Sequence, residues 1–445
     1  MTFVLRKPAN DCCGARHRAD VAGVGDPGPG SASPATNVSP PRFVAWAAAF
    51  AALLVSSLAA APAPRNLFAE LLGRSDAEIT AKIDAGWQQL FYGSDTEERL
   101  YYPVDPDLAY LADINNGDVR SEGMSYGMML AVQIDRRAEF DRLYRWARKY
   151  MLHTDSPRRG YFAWQVSFDG RQIDPGSASD GEEWIATALL LAAERWGSSD
   201  AGSFNYLADA QALLHEMLHK PTEGNITAIF SREEKQVVFA PTLAGSQFTD
   251  PSYHLPAFYE VWARHADSPE DRAFWRDATQ TSRAFFHRAA HPQTGLMPEY
   301  AHFDGRPYTG FGAERGDFRY DAWRILANVA FDHAHFAADP WQVEQSNRIL
   351  RFLSSHQPAI PNQFTLDGRP LSTDVNSTGL MAMAAVAGLA AEPELARPFV
   401  QFLWDAPIPR GQYRYYDGVL YQLALLQVSG RFQLSFHLTA PTTSK

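Results

Sequence analysis

Three acidic residues each stand where a polar stretch gives way to a long apolar segment. Glu122 lies in SEGMSYGMM, Asp180 in SDGEEW and Asp321 in YDAWR. Carboxyl groups gathered in one cleft can divide acid and base work, because a protonated group donates to a leaving oxygen while an ionised group activates water. Cleavage of glycosidic bonds uses such a pair. Helix capping explains each acid when it is taken alone, since acids suit the positive end of a helix dipole.

Starts of the same kind precede six apolar segments of the chain. The six begin near Ser121, Ser179, Asp250, Tyr320, Asn376 and Tyr416. Most are separated by a more polar segment with one apolar stripe, such as residues 140–151 and 205–219. Helices that are apolar nearly all round are buried, whereas those with one stripe lie outside. The alternation predicts an all-α toroid of six helical hairpins, with the polar starts of the inner helices meeting at one end.

Local patterns add three narrower predictions. Residues 76–91 space their apolar side chains at helical intervals, and residues 236–240 (QVVFA) are typical of a short strand. Ser179 and Glu182 have the spacing of a capping box, in which each side chain bonds the backbone amide of the other residue.

Aromatic residues accompany most of the helix starts. The chain holds 11 Trp, 18 Tyr and 27 Phe. Candidates for stacking on a sugar ring are Trp164, Tyr253, Trp323, Tyr415 and Tyr416. Core filling is the commoner role of any single aromatic residue. The group therefore supports a sugar-binding cleft only together with the acids.

One segment, HEMLH at residues 215–219, matches the HExxH pattern of zinc proteases. A catalytic zinc site needs a third ligand and an open cleft, and this helix is amphipathic with an apolar stripe typical of an outer helix. We therefore expect no metal and no cofactor. The only cysteines, Cys12 and Cys13, precede the folded region, so we expect neither a cysteine nucleophile nor a cysteine metal site there.

The length and composition of the chain fit a single large catalytic domain. It has 445 residues, 46% of them hydrophobic, and a formal net charge of −11. The sequence contains no long stripe of Lys and Arg, so it gives no indication of nucleic-acid binding. We assign residues 1–42 to a disordered leader, residues 43–61 to a signal peptide or membrane anchor, and residues 67–435 to the domain. This predicts a periplasmic or secreted protein, or a membrane-anchored one whose only membrane contact is through residues 43–61.

Several motifs in order resemble family 8 of the glycoside hydrolases. They are SEGMSYGMM at 121–129, SDGEEW at 179–184, DPSYHLP at 250–256, YDAWR at 320–324 and RYYDGVLY at 414–421. The resemblance runs over most of residues 67–435. It implies an (α/α)6 barrel, in agreement with the six helix starts, and hydrolysis with inversion of anomeric configuration.

The resemblance also implies roles for individual residues. Glu122 matches the general acid, Asp321 the general base, and Asp180 the acid that contacts the sugar at the cleavage point. Tyr253 and Arg324 match residues close to the base and its water. Trp164 and Tyr416 are further substrate-binding candidates.

Within the family, the chain is most similar to the reducing-end xylose-releasing exo-oligoxylanases. The shared stretches include GYFAW at 160–164, HPQTGL at 291–296 and PEYAHFDG at 298–305. The implied activity is hydrolysis of β-1,4 bonds in xylo-oligosaccharides, with release of xylose from the reducing end. Where those enzymes read the reducing-end sugar with a loop histidine, this chain has Asn376, a candidate substrate ligand.

Other readings of the same residues stay open. The chain could be an endo-acting β-1,4-xylanase or a β-1,4-glucanase of the same family. A more distant alternative is an inactive sugar-binding protein on the same scaffold, although both Glu122 and Asp321 are present.

Overall fold

The computed structural model describes residues 65–198 and 205–436. The predicted leader (1–42) and signal or anchor segment (43–61) lie outside these residues. Of the helices in the two described stretches, none combines the length and apolar character needed to cross a membrane.

Local sequence determines where individual helices begin. Helix α1 (Leu67–Leu72) starts at Asn66 and α2 (Asp76–Tyr92) at Ser75, whose side chain forms a capping box with Glu78. A capping box satisfies two backbone amides that the first turn leaves free. The apolar side chains of α2, which include Ile79, Ile83, Trp87 and Leu90, are buried. The predicted helical spacing of this segment is confirmed.

Twelve helices of the described residues form six inner–outer pairs. The inner helices are α3 (Ser121–Gln133), α5 (Ser179–Trp196), α7 (Pro256–His265), α9 (Trp323–Phe336), α11 (Thr378–Ala387) and α13 (Arg414–Val428). The outer ones are α2, α4 (Arg137–Tyr150), α6 (Tyr206–His219), α8 (Pro269–Ala289), α10 (Trp341–Ser354) and α12 (Pro393–Asp405). Each inner helix contacts the next, and α13 contacts α3, so the ring closes. The predicted (α/α)6 barrel is confirmed.

Burial separates the two kinds of helix as the patterns predicted. In α5 every side chain from Ser179 to Ala192 is buried. In α4 burial is confined mainly to the stripe of Phe140, Leu143, Trp146 and Ala147, and charged residues cover the other face. An inner helix is surrounded by neighbours on all sides, whereas an outer helix meets solvent on one face.

Short strands line the end of the barrel where the inner helices begin. Strands β1 (Tyr101–Pro103), β2 (Ala109–Asp113), β3 (Asp118–Arg120), β4 (Gln165–Val166) and β5 (Gln172–Asp174) form an antiparallel sheet in that order. Strand β3 runs directly into α3, so pairing of Arg120 with Gln165 fixes where Glu122 begins its helix. A hairpin of β6 (Phe230–Ser231) and β7 (Gln236–Val237) realises the strand predicted at 236–240 in shorter form.

The predicted capping box of α5 is wrong. The residue preceding the helix is Ala178, and Ser179 is already its first residue. Glu182 instead accepts a hydrogen bond through Oε1 from the backbone amide of Phe162 at 2.9 Å. The Glu182 carboxyl group therefore binds the loop before β4 and does not cap the start of α5.

Candidate active site

Arg324 brings the three predicted acids together. Its Nη1 donates to Glu122 Oε2 at 2.8 Å and to Asp180 Oδ2 at 3.2 Å. Its Nη2 lies 3.5 Å from Asp321 Oδ1. One buried positive charge therefore faces three carboxyl groups from three different helix starts. It cannot neutralise all of them, so the arrangement favours a proton on at least one acid.

Two hydroxyl groups fix the orientation of Arg324. Nη1 also donates to Tyr126 Oη at 2.7 Å, and Nη2 donates to Ser252 Oγ at 2.9 Å. Ser252 lies in the 3-10 turn Pro251–Tyr253, and its carbonyl accepts from Asn328 of α9 at 2.8 Å. The guanidinium is thereby held by residues before α7 and within α3, which makes the position of the acids rigid.

Glu122 has the environment of a proton donor. Its carboxyl is mostly buried, with 18% of the side chain exposed. Burial raises the pKa of Glu122 to about 7, and the neighbouring charges of Asp180 and Asp321 add to the effect while Arg324 opposes it. An acid with a pKa near neutrality can hold a proton and release it in the same pH range.

Asp180 is the most enclosed of the three acids, with 7% of its side chain exposed. Its Oδ1 accepts from the backbone amide of Gly181 at 2.9 Å. Burial raises the pKa of Asp180 against the opposing charge of Arg324. A Cβ atom on Gly181 would collide with the side chain of Ser121, so glycine allows the starts of α3 and α5 to touch.

Asp321 is the most accessible of the three acids. It lies in the 3-10 turn Tyr320–Ala322 that precedes α9, and 30% of its side chain is exposed. Glu122 and Asp180 expose 18% and 7%. A group that takes a proton from water must be reachable by water, so the order of exposure agrees with the roles that the sequence resemblance implied.

Tyr415, at the start of α13, completes the surroundings of Glu122. Its hydroxyl donates to Glu122 Oε1 at 2.9 Å, while Arg324 donates to the other oxygen. The ring passes directly over Gly123, where an added Cβ would lie 2.7 Å from the tyrosine oxygen. Contacts this short are essentially forbidden, so Gly123 is required for the tyrosine to reach the acid.

Trp164 and Tyr416 are both half-buried. The carbonyl of Trp164 accepts from Ser121 at the start of α3, and its ring lies 5.4 Å from the guanidinium of Arg120. Tyr416 donates to the carbonyl of Tyr320, the neighbour of Asp321, at 3.0 Å. Each therefore contacts the chain within two residues of a predicted catalytic acid.

Tyr253 and Trp323 are buried more deeply. The guanidinium of Arg324 lies 5.6 Å from the centre of the Tyr253 ring. Trp323 is 3% exposed and donates to the carbonyl of Asn362 at 3.0 Å. Trp323 therefore belongs to the wall of the site, while Tyr253 lies against its charged centre.

Asn376 is engaged by its own loop. Its Oδ1 accepts from the amide of Ile360 at 3.0 Å, and its Nδ2 donates to the carbonyl of Pro358 at 2.8 Å. The backbone at Asn376 has a φ of 53°, in the left-handed region that asparagine tolerates well. Both ends of the amide thus hold the loop, and the sugar-binding role of Asn376 stays a prediction.

Two more buried acids act on Asp321: Asp250, at one of the six predicted helix starts, and Glu299, which the sequence patterns missed. Asp250 accepts from the amide of Ser252 at 2.7 Å, and burial together with Asp321 raises its pKa. Glu299 accepts from Arg315 at 2.8 Å, and burial and the charge of Asp321 raise its pKa to about 7. Both acids fall inside motifs quoted above, but only the fold shows that they surround the same group.

One potential metal-ligating cluster of three residues occurs among the described residues. It joins His215 and His219 of α6 with Asp271 of α8. The HEMLH segment offers no third ligand of its own, because Asp271 lies 52 residues beyond His219. The cluster is on an outer helix and is not part of the group around Arg324.

Comparison with known proteins gives the family. The model of "Glycosyl hydrolases family 8" matches residues 111–430. Reducing-end xylose-releasing exo-oligoxylanase Rex8A of Paenibacillus barcinonensis is 44% identical over 373 residues, which cover 83% of this chain and 96% of the relative.

Solved structures agree in fold. Rex8A of P. barcinonensis, complexed with xylose, has a TM-score of 0.79 at 43% identity, over 83% of this chain and 97% of that one. A family 8 xylanase of Teredinibacter turnerae, a catalytic mutant complexed with xylohexaose, has a TM-score of 0.80 at 44% identity, over the same shares of each chain. The protein described here is therefore a member of glycoside hydrolase family 8.

Proposed function

We propose that the protein is an inverting hydrolase of xylo-oligosaccharides that releases xylose from the reducing end. The observation that carries the proposal is the contact of one arginine, Arg324, with the acids Glu122, Asp180 and Asp321. The similarity to Rex8A, which covers nearly the whole relative, supports the substrate and the position of cleavage.

Glu122 acts as the general acid in this proposal. Its proton passes to the glycosidic oxygen as the bond from that oxygen to the anomeric carbon breaks. The carboxylate left behind then accepts hydrogen bonds on both oxygens, from Arg324 and Tyr415. These donors stabilise the charge that develops on Glu122 during proton transfer.

Asp321 acts as the general base. A water molecule attacks the anomeric carbon from the face opposite the leaving oxygen, and Asp321 takes one of its protons. Inverting enzymes hold the two carboxyl groups roughly 6.5–9.5 Å apart so that this water fits between them and the sugar. Glu122 and Asp321 contact different nitrogens of Arg324, an arrangement that is compatible with a water molecule between the two carboxyl groups.

Asp180 and the aromatic residues hold the sugar. Asp180 is buried beside the acid, where a carboxylate can accept hydrogen bonds from the hydroxyls of the sugar that is cleaved. Tyr253 lies against Arg324, which also contacts the base. Trp164 and Tyr416, both half-buried, supply aromatic surfaces on which sugar rings can stack.

A second candidate is an endo-acting xylanase. Asn376 uses one amide hydrogen and one oxygen lone pair to hold the backbone of Pro358 and Ile360, which leaves it less free than an unbound side chain to contact a reducing-end sugar. The similar T. turnerae protein is described as a xylanase bound to xylohexaose. This observation bears only on where the chain is cut, and it leaves the reaction itself the same.

Product analysis on xylotetraose labelled at the reducing end tests both candidates. Early release of labelled xylose alone is the expected result. A mixture of labelled xylobiose and xylotriose would instead establish the endo-acting enzyme. Failure to cut xylotetraose together with cleavage of a cello-oligosaccharide would overturn the substrate and leave a β-1,4-glucanase.

We also propose that residues 43–61 direct the protein out of the cytoplasm as a cleaved signal. The segment is apolar and ends in small residues before Pro62. Sequencing the N-terminus of protein recovered from the periplasm or medium tests this. A start close to Pro62 is expected, whereas an intact segment recovered with membranes would support the anchor.

A further inference from the structure

The HEMLH segment lies at the end of an outer helix, where the fold adds an acid that the motif lacks. His215 and His219 are one turn apart on α6, and their rings stack with centres 4.4 Å apart and planes inclined by 22°. Asp271, in the first turn of α8, lies against them. One potential ligand atom from each of the three residues lies within 4.8 Å of the others.

The hydrogen bonds of His219 show which of its ring nitrogens carries the proton. Arg232 Nη1 lies 3.0 Å from His219 Nδ1, and because arginine can only donate, Nδ1 is the acceptor. His219 therefore carries its proton on Nε2, which faces Asp271 Oδ1 at 2.7 Å. This proton sits between two groups that ligate metals, so a cation can take its place only when the proton moves to Nδ1 and Arg232 gives up its bond to that nitrogen.

The acid of the motif is not available as a catalytic base. Glu216 forms an ion pair with Lys220 at 2.5 Å, and its carboxyl group is not among the ligand atoms that cluster with the two histidines. A protease of the HExxH type needs this glutamate beside the metal-bound water. The cluster therefore lacks the arrangement for hydrolysis, and a metal held there would have a structural role.

We propose that His215, His219 and Asp271 bind a zinc ion that joins α6 to α8. Two imidazoles and a carboxylate are ligands that Zn²⁺ accepts, and water completes the tetrahedron. Ligand atoms at about 2.0–2.1 Å from zinc stand roughly 3.3 Å apart. His219 and Asp271 must separate by about half an ångström, and His215, which is exposed, can rotate inward.

Arg232 competes with the zinc ion for His219. Its positive charge and its bond to His219 oppose a cation at this place. Its side chain is 48% exposed and already pairs with Glu270 at 2.8 Å, so it can leave the histidine without losing that partner. The proposal thus predicts that zinc binding strengthens when Arg232 is removed, which a purely hydrogen-bonded cluster would not do.

Titration calorimetry with zinc chloride on the untagged full chain tests the site. All variants carry Cys12→Ser and Cys13→Ser, so that thiolates cannot take up the ion. One equivalent of zinc should bind and raise the melting temperature, because the ion binds the folded state. His215→Ala should weaken binding at least about tenfold, and Arg232→Gln should strengthen it.

His287→Ala is the matched control. His287 also pairs with a carboxylate, Asp339 at 2.7 Å, but among the described residues it belongs to no three-ligand cluster. Its loss should leave the zinc affinity unchanged. Absence of a saturable heat, or equal affinities of the parent and His215→Ala, would overturn the site. A weaker affinity in Arg232→Gln would also contradict it, because the arginine would then support the ion.

Discussion

Arg324 donates to Glu122 at 2.8 Å, yet the pKa of that glutamic acid is raised to about 7. A guanidinium beside a carboxyl group ordinarily lowers its pKa. Here burial outweighs the arginine, and the charges of Asp180 and Asp321 share the same cation. The contact therefore holds Glu122 in place without forcing it to ionise, which is what a general acid requires.

The first prediction concerns the alkaline side of the pH profile. Glu122 must be protonated to act, so kcat/KM for xylotetraose should fall about tenfold per pH unit above a pH of about 7. Asp180→Asn removes a negative neighbour of Glu122, which lowers the pKa of Glu122 and should move this decline to lower pH. Initial rates between pH 5 and pH 9 decide the matter. A decline that begins near pH 4.5 would mean that the acid is not this buried group.

The second prediction separates the acid from the base. Glu122→Gln and Asp321→Asn should each reduce kcat on xylotetraose by about 10²–10⁴-fold. With β-xylobiosyl fluoride, whose fluoride leaves with little help from a proton, Glu122→Gln should recover most of its loss and Asp321→Asn should not. Glu216→Gln, on outer helix α6, controls for the loss of a carboxylate elsewhere. Equal recovery of both variants would contradict the assigned roles.

The third prediction concerns the hydroxyl of Tyr415. Tyr415→Phe removes a donor to the ionised form of Glu122, so the pKa of Glu122 should rise by about one unit and kcat should fall. Tyr416→Phe is the matched control, because the Tyr416 hydroxyl donates to a backbone carbonyl and not to an acid. The alkaline decline of kcat/KM should move in the first variant only. An equal shift in both would show that the effect is not transmitted through Glu122.

The fourth prediction uses the glycine beneath that tyrosine. Gly123→Ala places a Cβ 2.7 Å from the Tyr415 oxygen, so the ring must move away from Glu122. Activity should fall about as far as in Tyr415→Phe, and the double variant should lose little more, because both changes remove one contact. A double-mutant cycle on kcat measures this. Fully additive losses would mean that Gly123 acts by another route.

Sequence periodicity was sufficient to predict the ring of helices, but it did not predict the contacts among the acids and Arg324. Apolar segments with polar starts gave six inner helices, because an inner helix is buried on every side and has few polar positions beyond its first turn. Capping preferences explained why acids stand at these starts. They did not show that Arg324 connects them, and its place came from resemblance to a family.

Long-range contacts account for what the patterns missed. Glu182 has the spacing of a capping partner, but its carboxyl group accepts a hydrogen bond from the amide of Phe162 instead. Glu299 joins the site, and Asp271 joins the histidines, from distant parts of the chain. Such contacts cannot be predicted from a short motif, because only tertiary packing brings the residues together.

The last prediction concerns a buried acid that the proposed chemistry does not use. Burial raises the pKa of Glu182 to about 8, from an ordinary value of 4.5. Between these two values the unfolded chain releases a proton that the folded protein keeps, so Glu182 lowers stability by about 1.4 kcal/mol per pH unit as the pH rises. Glu182→Gln keeps an oxygen for the Phe162 amide and abolishes this titration.

The free energy of unfolding of Glu182→Gln relative to the parent should therefore increase from pH 5 to pH 8 in urea titrations. Glu233→Gln, at an exposed position between β6 and β7, should show a constant difference, and a constant difference in Glu182→Gln as well would mean that Glu182 is already ionised in the folded protein.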